Sequence, residues 1–181
     1  MPNTSINNYA PSNFMSKFLY NYVIKVGGFV AKHPILFYIL NFTWGLLYTL
    51  IGLIIFIVML PFGKIKKFEY VLYLKTRKNG DWGFEQGITF IVSNESDYLY
   101  VQKHELGHTI QNAVLGPFQL FIVTIPSIIR FWYRYIGWKK GKEFKTTYDE
   151  IWFEYTANEL GSIAITARAK KEVNKKYGKR N

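Results

Sequence analysis

Hydrophobic positions run almost without interruption from Ile35 to Leu60, and residues 34–63 carry no charged side chain. As one helix, Ile35–Leu60 would be about 39 Å long, enough to span a bilayer with some tilt. Pro34 and Pro61 frame the run as helix boundaries. It is longer than the apolar core of a signal peptide, which runs to roughly 7–15 residues. A rod that is apolar all round also has no place in the core of a 181-residue chain. The expectation for 34–63 is therefore one uncleaved transmembrane anchor. Ahead of it, residues 1–13 are rich in Asn, Ser and Pro and read as disordered. Residues 14–32 place Phe14, Phe18, Leu19 and Tyr22 on one side of an amphipathic helix lying on a membrane. Residues 1–33 thus form a polar tail and an interfacial segment.

After the anchor the periodicity changes. Phe68 to Leu74 and Gly87 to Val92 have the β-branched and aromatic content of strands, and Asn79-Gly80-Asp81 reads as a turn. Asn94 or Ser96 would cap a following helix, with Asp97 in its first turn and Gly116-Pro117 as its stop. Residues 113–129 are uncharged, at the lower limit for a crossing, with Pro117 and Pro126 near the ends. Residues 130–147 hold Arg130, Arg134, Lys139, Lys140, Lys142, Glu143 and Lys145, too many charges for another span. Residues 113–129 therefore read as a re-entrant or interfacial apolar segment. A second helix is predicted over Tyr148 to Leu160, with Thr147 and Glu150 as a capping box. On it Glu150, Glu154 and Asn158 share one stripe at i, i+4 and i+8. The whole reads as a mainly α integral membrane protein with a short β element, and residues 64–181 form one unit.

Charge supplies an orientation. The chain has a net charge of +11. Lys17, Lys25 and Lys32 lie upstream of the anchor; Lys64, Lys66, Lys67, Lys75, Arg77 and Lys78 lie downstream. The positive-inside rule places the downstream side in the cytoplasm, which suits a cell membrane with an anionic leaflet as partner. No nucleic-acid recognition motif accompanies the basic tail Lys170 to Arg180, so nucleic acid is not expected as a partner.

The candidate chemistry lies in His104-Glu105-Leu106-Gly107-His108, which holds two of the three histidines. On a helix, residues four apart share a face, so both imidazoles can reach one metal ion. Glu105 stands where it can take a proton from water at that ion. The chain has no cysteine, which excludes a closed thiolate site. His33, before Pro34, suits a boundary better than a ligand. That leaves carboxylates for a third ligand, and the stripe on the second helix offers Glu150 and Glu154. Glu150 sits in the first turn, where the helix dipole already favours an acid.

HELGH followed by Glu154-Tyr155-Thr156-Ala157-Asn158 resembles the gluzincin arrangement, and within it the membrane metallopeptidases of the HtpX and CAAX-prenyl-protease type, whose second motif is Glu-x-x-Ala-Asp. The two motifs and their helices cover about a third of the chain. The resemblance implies a minimal zincin-like core that binds zinc through His104, His108 and Glu154. Asn158 would hydrogen-bond a ligating histidine; it stands where those families carry Asp, which leaves that position neutral. The implied activity is a membrane-bound zinc endopeptidase acting on a peptide or membrane-protein substrate, with a zinc-activated water and Glu105 as general base. By the same resemblance Ile88-Thr89-Phe90-Ile91-Val92 would be an edge strand that aligns the substrate, with an ordinary strand burying one face as the alternative. Tyr148, Tyr155 and Arg168 are candidate oxyanion donors among which the sequence does not choose. Site-2-type proteases also carry HELGH, but their aspartate partner motif is missing. The alternative is a degenerate zinc-binding or purely structural membrane protein. A pore-forming role would leave the spacing of His104, His108 and Glu154 unexplained.

Overall fold

The computed structural model describes residues 10–80, 82–94 and 98–177. It is mainly helical, with one four-stranded sheet. The helices are α1 (Phe14–Ala31), α2 (Pro34–Phe42), α3 (Leu46–Met59), α4 (Tyr98–Leu115), α5 (Ile125–Lys139) and α6 (Trp152–Tyr177). The strands are β1 (Gly63–Phe68), β2 (Val71–Thr76), β3 (Gly83–Gln86) and β4 (Thr89–Val92).

The apolar run over 34–63 is not one helix. It breaks at Thr43-Trp44-Gly45 into α2 and α3, and its last residues leave as a 3-10 turn and the start of β1. Polar residues inside the run explain the break. Asn41 and Thr49 are fully buried, and both meet Asn112 of α4, whose Nδ2 lies 2.6 Å from Asn41 Oδ1 and 3.2 Å from Thr49 Oγ1. Trp44 donates its indole N–H to the carbonyl of Val114 at 3.2 Å. Buried polar groups must find partners, so the run wraps over α4. As a helix of about 21 Å, α3 falls short of the roughly 30 Å hydrocarbon core. Among the described residues, no single helix is long and apolar enough to cross a membrane. Two helix pairs that together have the length and composition are each bent by 116°. One is α1 with α2; the other joins α4 to α5 through a turn at Gly116–Phe118 and a π-helical turn at Leu120–Thr124. The expected re-entrant stretch 113–129 contains this second bend.

Asn13 caps α1 by accepting from the N–H of Ser16 at 2.8 Å. One face of α1 buries Val23, Gly27 and Val30; of the residues predicted to lie on a membrane, Phe14, Phe18 and Tyr22 are exposed, whereas Leu19 is half-buried and packs against the core. Gly27 sits against Leu160 of α6. His33 Nδ1 donates to the Phe29 carbonyl at 2.8 Å, which makes it a helix-boundary residue.

In the sheet the order is β1-β2-β4-β3; β2 and β4 are parallel and the other pairs antiparallel. The predicted strand over Phe68 to Leu74 is displaced, because Glu69, at φ 53, turns the chain between β1 and β2. The predicted strand at 88–92 exists as β4, but it is interior. The edges are β1 and β3, so the expected substrate-aligning edge at 88–92 is not one. β4 pairs on one side with β3, its hairpin partner, and on the other with β2, which runs parallel to it. One face of the sheet packs Phe56 of α3 with Leu74 and Ile91, and the other joins the main core through Val71, Tyr73, Phe90 and Val92. The predicted cap at Ser96 and the acid at Asp97 lie outside the described residues.

The second motif helix starts at Trp152, later than predicted, and runs on to Tyr177. Thr147 and Glu150 do meet, side chain to side chain at 3.3 Å, but residues 148–151 form turns ahead of the helix. Their side chains are drawn into the site: Asp149 accepts from the Tyr100 hydroxyl and Tyr148 donates to Glu154.

Candidate metal centre

Two glycines allow α4 and α6 to cross almost backbone to backbone. A Cβ on Gly107 would collide with the carbonyl of Ala157, and one on Gly161 with the carbonyl of Lys103. Leu106 and Ile110 turn the other way into the core and are fully buried. The helical period then leaves His104 and His108 facing α6, opposite Glu154 and Asn158. Glu150 lies outside the helix and does not join them. Of the two candidate carboxylates, only Glu154 enters the cluster.

The three ligand atoms form a nearly equilateral triangle. His104 Nε2 is 3.1 Å and His108 Nε2 3.3 Å from Glu154 Oε2, and the two Nε2 atoms are 3.1 Å apart. Ligands at about 2.0–2.1 Å in a tetrahedral zinc site are about 3.3 Å from one another, so this spacing fits a small divalent ion. Each imidazole is held from behind. His104 Nδ1 donates to Asn158 Oδ1 at 3.0 Å, and His108 Nδ1 donates to Gln111 Oε1 at 2.7 Å. With Nδ1 protonated on both rings, both Nε2 lone pairs point at one spot together with a carboxylate. Three buried acceptors that converge repel one another unless a cation lies between them. His104, His108 and Glu154 could hold a metal ion.

The electrostatics agree. Burial works to lower the pKa of His104, but the hydrogen bond and charge of Glu154 outweigh it and push it up to about 9. Burial likewise opposes ionisation of Glu154, which is 0% exposed, yet the two histidines hold it well below the ordinary carboxylate range. In the absence of a metal, a proton on His104 supplies the positive charge that the triangle needs.

Glu105 is also buried, on the side of α4 that faces β3. Burial holds its pKa above the ordinary carboxylate range, and His104 and His108 offset only part of that rise. The backbone N–H of Glu85 donates to its carboxylate, and Gly83 leaves the room that a Cβ would fill against Glu105 Oε1. Glu85 itself is raised well above the ordinary range by burial, while the Gly87 N–H, 2.6 Å from its Oε1, works against that.

Of the three candidate donors, one reaches the centre. The Tyr148 hydroxyl donates to Glu154 Oε1 at 2.9 Å. Tyr155 packs its ring against Tyr20, at 6.1 Å between centroids, and Arg168 pairs with Glu69 and Glu172. Sequence reading missed Gln111, Gly83 and Glu85. Gln111 had a legible signal, since it lies three residues after His108 and so on the same face. Gly83 and Glu85 had none, because only the hairpin brings β3 beside α4.

Compared with known protein families, curated proteins and solved structures, the chain matches none of them.

Proposed function

We propose that the chain is a membrane-bound, zinc-dependent endopeptidase of the gluzincin type. The observation that carries this is the triangle of His104, His108 and Glu154 with both histidines oriented from behind and Glu105 beside them. A donor set of two imidazoles and one carboxylate suits zinc and leaves a coordination position open, as catalytic sites do. A bound divalent ion supplies Lewis acidity, which makes water more acidic and polarises a carbonyl. The chain's own residues supply the rest. Asn158 and Gln111 fix the imidazole planes and keep the tautomers ligand-ready. Glu105, held by the Glu85 N–H, takes the proton of the attacking water and delivers it to the leaving nitrogen. The Tyr148 hydroxyl, which reaches Glu154 Oε1, serves as the donor for a developing oxyanion.

The apolar stretch 34–63, split as α2 and α3, anchors the protein in a cell membrane. The lysine-rich side after it, with the metal centre, faces the cytoplasm. The substrate is a peptide or a membrane protein. The test is metal analysis of purified protein together with His104→Ala and Glu154→Ala, and a cleavage assay on an unfolded protein. The wild type should carry zinc and both variants lose it. Glu105→Gln should keep zinc while cleavage drops by about 10²–10⁴-fold. Zinc without cleavage would favour a degenerate zinc-binding protein; no zinc at all would leave a structural anchor.

A further inference from the structure

Helix α5 faces the wrong way for water. None of its residues is buried, and its polar side points into the protein. Arg130 Nε donates to the Tyr148 carbonyl and its Nη2 to the Thr147 carbonyl, both at 2.9 Å; Arg134 Nη2 donates to the Thr146 carbonyl at 2.7 Å. Ser127 Oγ lies 3.0 Å from the Tyr148 hydroxyl. On the opposite side, Ile125, Ile128, Ile129, Trp132, Tyr135 and Ile136 cover an arc of about 120°. All six are exposed, Ile129 by 63% and Trp132 by 53%.

Charge and continuity say what covers that arc. From 125 to 145 the one acidic residue is Glu143, against Arg130, Arg134, Lys139, Lys140, Lys142 and Lys145, the lysines gathered at the helix end. Aromatic residues with flanking lysines suit the boundary between headgroups and acyl chains. The exposed apolar surface also continues beyond α5. Phe118 and Phe121, just ahead of it, are exposed, and Trp44, itself exposed, lies against Phe118 at 6.2 Å between ring centroids. Leu47, Leu50 and Ile54 of α3 are exposed as well. Apolar surface spread over several elements and edged by lysines matches a bilayer better than one protein groove.

We propose that α5, with the lysines that follow it, lies in the headgroup–acyl boundary of an anionic bilayer and holds the metal centre at the membrane surface. The opposite side of the same helix clamps the turn that carries Tyr148, whose hydroxyl reaches Glu154, so the docked helix is two hydrogen bonds from Glu154. What docking serves rests on the peptidase reading; docking itself does not, and its test needs neither metal nor turnover.

The chain has no cysteine, so single cysteines report cleanly. Full-length Ile129→Cys, Ile136→Cys and Glu143→Cys proteins, each replacing an exposed residue, are reconstituted in phosphatidylcholine vesicles with and without phosphatidylglycerol. A water-soluble maleimide should label positions 129 and 136 about ten-fold more slowly than 143 when phosphatidylglycerol is present, as burial at acyl depth requires. Equal rates at the three positions overturn the proposal. So does protection that needs no anionic lipid, or protection that grows with protein density, which would mark a second copy as the occupant. Trp132→Cys replaces either isoleucine variant that fails to fold.

Discussion

Gln111→Ala isolates the support of one ligand. Gln111 is fully buried. It accepts from His108 Nδ1 at 2.7 Å and donates to the Phe153 carbonyl at 2.7 Å and the Thr156 hydroxyl at 2.6 Å. Thr156 keeps its own bond to the Phe153 carbonyl at 3.2 Å, so the group left orphaned is the imidazole N–H. One unsatisfied buried donor and the space left by the shortened side chain cost about 2–4 kcal/mol of stability. Loss of a ligand's supporting hydrogen bond weakens metal binding by about 10–100-fold. Urea unfolding of the metal-free protein reads the first effect, and zinc titration against a chromophoric chelator reads the second. Gln111→Glu separates them: its carboxylate still accepts from His108 but no longer donates to Phe153, so stability should fall while zinc affinity holds. An alanine variant that loses stability yet binds zinc like the wild type would refute the assignment of His108 as a ligand oriented by Gln111.

Gly107→Ala should push α4 from α6, because its methyl collides with the Ala157 carbonyl; a loss of about 1–3 kcal/mol and a drop in zinc affinity, both by the same assays, are expected. Tyr148→Phe should leave zinc stoichiometry intact and lower kcat more than KM, measured with a quenched peptide; an unchanged kcat would remove Tyr148 from the reaction. In metal-free protein, His104 lies above its usual 6.5, so its contribution to stability is complete below that pH and is lost as pH rises through about 9. Glu154 is depressed, so the same ion pair is lost as pH falls below the usual 4.5 and further. Urea midpoints after chelation should therefore fall between pH 7 and 9, and calorimetry in buffers of different ionisation enthalpy should detect about one proton released per zinc bound at pH 7. A flat midpoint and no proton release would contradict the His104–Glu154 pair.

The spacing of His104 and His108 alone placed two imidazoles on one helix face, because the helical period is a local property of the backbone. The stripe of Glu150, Glu154 and Asn158 was legible for the same reason, and the resemblance of its later part to a Glu-x-x-Ala-Asp motif singled out Glu154 and Asn158. The rise in hydrophobicity from Ile35 to Leu60 was equally plain, yet its shape was not. Whether that run stays straight depends on where Asn41 and Thr49 find hydrogen-bond partners, and those partners are on α4. Tertiary contacts likewise decided that Glu154 and not Glu150 joins the histidines, since Tyr148 and Asp149 are spent on Glu154 and Tyr100 before α6 begins. Strand order, the seat of Glu105 against Gly83 and Glu85, and the hold of Gln111 on His108 or of α5 on Tyr148 all join residues from different elements. Periodicity records what one segment can bury; which neighbour it is buried against is settled only when the whole chain has paid its desolvation costs together.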